Sequence, residues 1–404
     1  MKKILLLTLL CLISTPALFS FEMSGSLSSD LYIWEDSANS HIRPYENLRG
    51  TATLWRGEQG QTLLFKTNLR WTTDFNDQFE SDPQFFVYET NLKLSNLPRN
   101  SYITLGRQFI YNNAGSNLID GAKINYIFNN TQLEMFAGSK VNRLDPEKIQ
   151  SLDKYLVYGF YGKHLFTEKV LFMERMTIGA GLFDTEEDNI RLQRKAALDF
   201  RFNVSTTRFY LKSSYDIINN SISELLGRIS QNNNNWYYSL EFRNRRPSLS
   251  NNSVFSIIDF KNYNQFRLEL NRKLTSQFTV ISGLNYTIYD DDNNLRVQMG
   301  LSQKYFSVAV FHQNGYGGEQ NGLSGYGQIP LQYGLELFGS ANLSRYKIQD
   351  EHDDLINAYA TQVGLSKKLK GNWLLRAEWQ LLNNAISDYD SRFHFRISKG
   401  FSFK

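Results

Sequence analysis

The 404-residue sequence has a single cysteine, Cys11, and it lies in the N-terminal leader. Without that leader the chain has no disulfide, no thiolate metal site and no CxxCH haem attachment. Proline is scarce, at 7 residues. Net charge is small: 44 basic against 40 acidic residues leave +4, too balanced for a nucleic-acid binder. No run of 18 apolar residues follows the leader, so no transmembrane helix is expected. What the chain does have is aromatic residues, 23 Tyr and 29 Phe among them, at a mean hydropathy of −0.42. That combination argues against disorder and suits a protein of many strands.

The leader reads MKKILLLTLLCLISTPALFS. Two lysines, an apolar run from Ile4 to Ile13 and small residues at Ser14, Thr15, Ala17 and Ser20 form the pattern of a secretory signal peptide. The expected organisation is a signal peptide over residues 1–20, then one domain over 21–404. From Phe21 onward about ten residues alternate apolar and polar, then a polar connection follows, and the unit recurs. In NWLLRAEWQLL, Trp373, Leu375, Ala377, Trp379 and Leu381 share one face, and Leu374, Arg376, Glu378 and Gln380 the other. Period two is the strand signature. Counting the units gives about twenty-two strands, within a range of about 18–24.

Connections alternate long and short. SANSHIRPYEN precedes RGEQGQ, and KIQDEHDDL precedes KKLKG, while IINNS and HLFTEKVLF break the pattern. Alternation alone does not separate a soluble sandwich from a barrel that turns its apolar face to lipid. An export leader, strands long enough to cross a bilayer at a tilt, longer loops at one end and aromatic residues near strand ends together favour the barrel. The expected fold is all-β: a transmembrane antiparallel up-and-down β-barrel.

The C-terminal segment SRFHFRISKGFSFK, with Phe393, Phe395, Ile397, Phe401 and Phe403 alternating, resembles the last strand of Gram-negative outer-membrane porins. LGRQ at Leu105–Gln108 followed by DGAKINY at Asp120–Tyr126 is similar to a strand pair of alginate-export-type porins. The resemblance implies a cell outer-membrane location, contact with lipid and lipopolysaccharide, and recognition of the last strand by the barrel-assembly machinery. Lys404 departs from the usual aromatic end.

If apolar faces meet lipid, the opposite faces line the lumen. The pore-lining candidates are Lys66, Arg70, Lys123, Arg201, Arg208, Lys212, Arg243, Arg245, Arg267, Arg296, Arg376 and Arg396. Lys93 and the acids Glu89, Glu134, Asp199, Glu241, Glu269, Glu336 and Glu378 fall on the same faces. Such charges need water or partners. A basic excess lowers the barrier for anions, whereas full pairing with the acids merely braces the wall.

Arg107 breaks the pattern. By alternation it shares a face with Ile103, Leu105 and Phe109, where an arginine in mid-bilayer costs about 2–4 kcal/mol. Gly106 precedes it, so a bulge near Gly106, or an end-of-strand position, is expected to turn Arg107 to the lumen or rim, where it pairs with Asp120.

The stretches Asp184–Asn189, Asp290–Asn294 and Asp350–Asp354 read as solvated acidic loops. The glycine-rich GYGGEQNGLSGYG reads as a rim loop. No HExxH, Gly-x-Ser-x-Gly or Walker pattern occurs among the residues, and no catalytic, metal or cofactor site is expected, with His312 and His394 as the remaining histidines of interest. The leading functions are a channel for small hydrophilic or anionic solutes and a structural sheath around a periplasmic or lumenal protein partner such as a multihaem cytochrome; a third reading is a barrel hydrolase that uses His312 or His394.

Overall fold

The computed structural model describes residues 22–35, 39–76, 83–142, 145–246, 262–316, 318–347, 355–384 and 389–403. The expected signal peptide, Cys11, the Asp350–Asp354 stretch and Lys404 lie outside the described residues.

Twenty-two antiparallel strands form one sheet in which each strand pairs with its sequence neighbour, from β1 (Met23–Glu35) to β22 (Asp390–Phe403). β1 also pairs with β22, from Met23–Phe403 to Trp34–Arg392, and this closes the barrel. Closure removes the free edges that an open sheet of this size would expose.

Both chain ends lie at one mouth. Connections there are tight, such as 129–130, 205–206 and 234–235, with 166–173 the longest. Asn129 and Asn234 take positive φ (50° and 40°), a conformation that asparagine tolerates in two-residue hairpins. The opposite mouth, called distal below, carries the longer connections 73–83, 141–154, 246–262 and 347–355. Sequence placed Asp184–Asn189 in an acidic loop there. Instead Asp184–Glu187 belong to β9 (Glu174–Glu187) and only Asp188–Asn189 turn. The glycine-rich stretch is likewise mostly strand: Gly322, Gly325 and Gly327 lie in β18 (Gln320–Pro330). Gly322 leaves room for the ring of Phe311 on the neighbouring strand.

Leu105, Ile124, Phe160, Leu198, Leu240, Val297, Leu343, Val363 and Trp379 are exposed on the outward face. An apolar belt of this extent is stable only against lipid, which makes this a transmembrane barrel. The inward face carries the charged residues of the alternation.

One hairpin does not stay in the wall. β5 (Ser101–Tyr111) pairs with β4 (Gln84–Leu97) only as far as Arg107–Thr90. Beyond that point β5 and β6 (Ser116–Phe128) still pair with each other, but leave β4. Gly106 sits at the departure with φ +115°, and a Cβ there would lie 2.5 Å from the Thr90 carbonyl oxygen. The hairpin tip folds over the inner face of β7 (Thr131–Lys140), β8 (Tyr155–Leu165), β9 and β10 (Ile190–Val204). Ile110, Ala114 and Ile119 from the tip are buried against Phe136, Val157, Phe183 and Ala197 of those strands. Asn113 reaches Tyr161 on β8 at 3.3 Å. The barrel therefore has a second, inner layer with its own apolar core.

The expected bulge at Gly106 is absent. Register runs unbroken through Gly106–Gly121 and Arg107–Asp120. The glycine instead allows a turn of the whole hairpin. Gly106→Ala is expected to cost about 1–3 kcal/mol, because the alanine must adopt a glycine-only conformation against a backbone oxygen. The temperature at which the protein loses its folded electrophoretic mobility in detergent measures this.

Candidate functional site

Arg107 sits where the inner layer leaves the wall and is only 5 % exposed. Its Nε and Nη2 donate to the two Asp120 carboxylate oxygens at 2.7 and 2.6 Å. Its Nη1 donates to the carbonyl of Val87, at 3.2 Å, and to that of Pro146. Nη2 also reaches the Lys148 carbonyl at 3.4 Å. Val87 lies on the edge of β4 that β5 has vacated, and Pro146 and Lys148 belong to the distal connection 141–154. One guanidinium thus ties together the wall, the inner hairpin and the longest described stretch of loop. Planar five-donor geometry makes arginine the residue suited to this. It does not project into open lumen.

The inner layer narrows the lumen from one side. From the strand under the hairpin tip onward, cross-strand partners form a row of inward side chains on β10, β11 (Thr207–Asp216), β12 (Ser221–Asn233), β13 (Trp236–Arg245), β14 (Tyr263–Lys273), β15 (Thr279–Tyr289), β16 (Asn293–Ser302) and β17 (Phe306–Gly315). In order of pairing they are Arg201, Tyr210, Arg228, Glu241, Arg267, Asn285, Arg296 and Gln313. Neighbouring strands lie about 4.8 Å apart, so charges on alternate strands recur roughly every 10 Å around the wall. Arg228 binds Glu241 at 2.7 Å, and Arg243 stands 3.5 Å from the same carboxylate. Among the described residues no carboxylate lies within ion-pair distance of Arg201, Arg267 or Arg296. Arg201 and Arg296 rest on aromatic rings instead, 4.6 Å over Tyr210 and 4.5 Å over Phe311. Rings hold a guanidinium in place without neutralising it.

The other candidates divide. Lys212 is paired with Glu224 at 2.7 Å, and Arg243 lies 3.8 Å from that residue. Arg245 is the cross-strand partner of Glu224. Arg376 pairs with Glu378 at 2.8 Å and covers the Phe338 ring. Arg208 lies with Arg175 and Glu174 toward the mouth that holds the termini. Arg70 donates to Asn47 at 2.8 Å and stacks between Tyr45 and Tyr88. Lys66 and Lys123 line a cavity described below. Arg228 was not among the candidates: adjacent Leu225 and Leu226 blur the alternation of β12 (Ser221–Asn233), so its face was ambiguous.

The closing seam carries a further cluster. Asp30 on β1 accepts from Arg396 and stands 3.0 Å from His394 Nε2, while His394 Nδ1 lies 3.3 Å from Glu378. Tyr32 stacks on the imidazole at 4.1 Å. The histidine is held between two carboxylates by neighbours that brace three strands. Asp30→Asn removes the charge partner of Arg396 and His394 and is expected to cost about 1–3 kcal/mol, read as earlier loss of folded electrophoretic mobility on heating. His312 is bonded to Asn321 at 2.6 Å, apart from this cluster.

No known family model matches the sequence, and no curated protein matches it. Similarity appears at the level of fold. The translocation pore of the P pilus usher PapC aligns with a TM-score of 0.50 at 7 % identity, covering 95 % of this chain and 100 % of that one. Acinetobacter baumannii OccAB4 aligns at 0.47 and 10 % identity over 95 % and 99 % of the two chains. Pseudomonas aeruginosa OccK5 (OpdH) aligns at 0.47 and 9 % identity, over 95 % and 98 %. The usher pore establishes a shared large-barrel fold and nothing finer.

Proposed function

We propose that the protein is an outer-membrane channel that passes small hydrophilic solutes and prefers anions. The observation that carries this is the inward row on β10–β17, in which Arg201, Arg267 and Arg296 have no carboxylate partner among the described residues. Fixed unpaired cations beside a hydrated path lower the barrier for anions and raise it for cations. The apolar outward belt and the porin-like C-terminal strand support placement in an outer membrane, with lipid and lipopolysaccharide around the barrel and the assembly machinery acting on β22.

The channel reading is preferred to the sheath reading on one ground. The inner hairpin occupies lumenal space that a sheath would leave for its partner. Nothing in the site favours an enzyme: the two histidines of interest are spent in an ion-pair cluster and an asparagine bond. The test is the reversal potential of purified protein in a planar bilayer under a potassium chloride gradient. The expected sign is that of chloride preference. A potassium-preferring pore would overturn the anion reading, and a barrel that carries no current at any voltage would overturn the channel.

A further inference from the structure

A cavity of about 660 Å³ opens on the lumen beneath the inner hairpin. Three strands of the wall supply its basic side: Lys66 on β3 (Thr62–Thr72), Lys93 on β4 and Lys123 on β6. Lys93 Nζ sits 3.9 Å over the Tyr102 ring, and none of the three ammonium groups meets a carboxylate within ion-pair distance among the described residues. The same cavity has one acid, Glu89, anchored by the Asn91 amide at 3.0 Å. Its other wall is apolar, with Phe109 and Leu118 from the outer side of the hairpin.

Two lining amides hold the floor of the cavity to the wall. Asn91 spends its Nδ2 on Glu89 and on the Arg107 carbonyl, and Gln108 spends its Nε2 on the carbonyls of Thr104 and Gly121. The cavity thus offers three ammonium groups for carboxylates, and one carboxylate for a protonated amine.

We infer that this cavity is a resting site for an acidic amino acid, a solute with two carboxylates and one ammonium group. The two carboxylates meet Lys66, Lys93 and Lys123. The ammonium meets Glu89. The methylene stem lies against Phe109 and Leu118. A simple anion satisfies only half of this arrangement, and a basic amino acid meets like charge at three positions. The site deepens the channel reading, because a solute held here stands at the narrowing made by the inner layer.

The experiment is titration calorimetry of the full-length protein in detergent with L-glutamate, and with glutarate, which keeps both carboxylates and lacks the amine. Glutamate is expected to bind about tenfold more tightly than glutarate, the difference made by one charge-assisted contact. Glu89→Gln should abolish that difference, and Lys93→Met with Lys123→Met should weaken both ligands by about tenfold or more. Equal affinity for glutamate and glutarate in the unmodified protein, or glutamate binding unchanged in the lysine variant, overturns the site. Folded electrophoretic mobility of each variant confirms an intact barrel, and a Lys93→Arg variant retains charge where Met does not. Conductance in a planar bilayer is read separately. Glutamate binding without any conductance leaves the site standing and removes the channel, whereas chloride-preferring conductance without glutamate binding does the reverse.

Discussion

Exchanging Arg201, Arg267 and Arg296 together for glutamate is expected to turn the pore from anion-preferring to cation-preferring. Each exchange reverses one fixed charge that has no carboxylate partner among the described residues. An ion passing within about 4 Å of a unit charge in a water-like medium gains or loses about 1 kcal/mol. Three reversals therefore move the chloride-to-potassium permeability ratio by about two orders of magnitude or more at low salt, and less at high salt, where the charges are screened. The reversal potential under a salt gradient should cross zero. The same three positions as glutamine should give an intermediate value. Reversing Arg376, which already pairs with Glu378, should shift selectivity far less. If the Arg376 exchange shifted it as much as the triple exchange, the row would lose its special standing.

The second large effect belongs to Arg107. Arg107→Ala leaves the mostly buried Asp120 carboxylate uncompensated, and strips the carbonyls of Val87, Pro146 and Lys148 of a shared donor. Breaking a buried pair by removing one partner costs about 3–5 kcal/mol. The loss should fall on the inner layer before the wall, because the wall pairings from β7 onward do not involve this residue. Single-channel conductance is expected to rise and to flicker as the hairpin and connection 141–154 lose their common anchor. Asp120→Asn should produce a smaller change of the same kind, and the double variant should be little worse than Arg107→Ala alone, since the two side chains act as one unit. Additive effects would show that Arg107 works mainly through the carbonyls.

The wall was legible in the sequence because its rule is simple. Two faces meeting two solvents force alternation, so Trp373 to Leu381 announced their own orientation, and a count of such stretches reached the strand number. The lumenal charges were legible for the same reason, but their pairing was not. Nothing local distinguishes Arg243, which lies beside Glu224 and Glu241, from Arg267, which faces Glu241 across the strands yet has no carboxylate within ion-pair distance among the described residues. That depends on register between strands that are neighbours in space, and a single residue of slip exchanges one partner for another. The inner hairpin was hidden more completely. Its strands alternate as wall strands do, and its turn, 112–115, is short, so loop length gave no sign of an obstruction. The longer connection 141–154 is no plug either: it covers Arg107 with the carbonyls of Pro146 and Lys148. Only Gly106 and Arg107 side by side marked the spot, and the sequence could not tell a bulge in the wall from a departure out of it.

The seam where β1 meets β22 has a bearing on how the barrel reaches its final form. Every other strand pairs with its sequence neighbour, so twenty-one hairpin contacts can form locally, one after another. The last pairing joins residues more than 360 positions apart, as the Asp30–His394 contact shows, and has no short loop to fix its alignment. Asp30, His394, Arg396 and Glu378 supply that alignment chemically. Shifting β1 by one position along β22 would aim Asp30 at lipid and leave Arg396 without its carboxylate. The cluster therefore acts as a proofreading mark: an odd shift turns Asp30 to lipid, and an even shift keeps its face but parts it from His394 and Arg396.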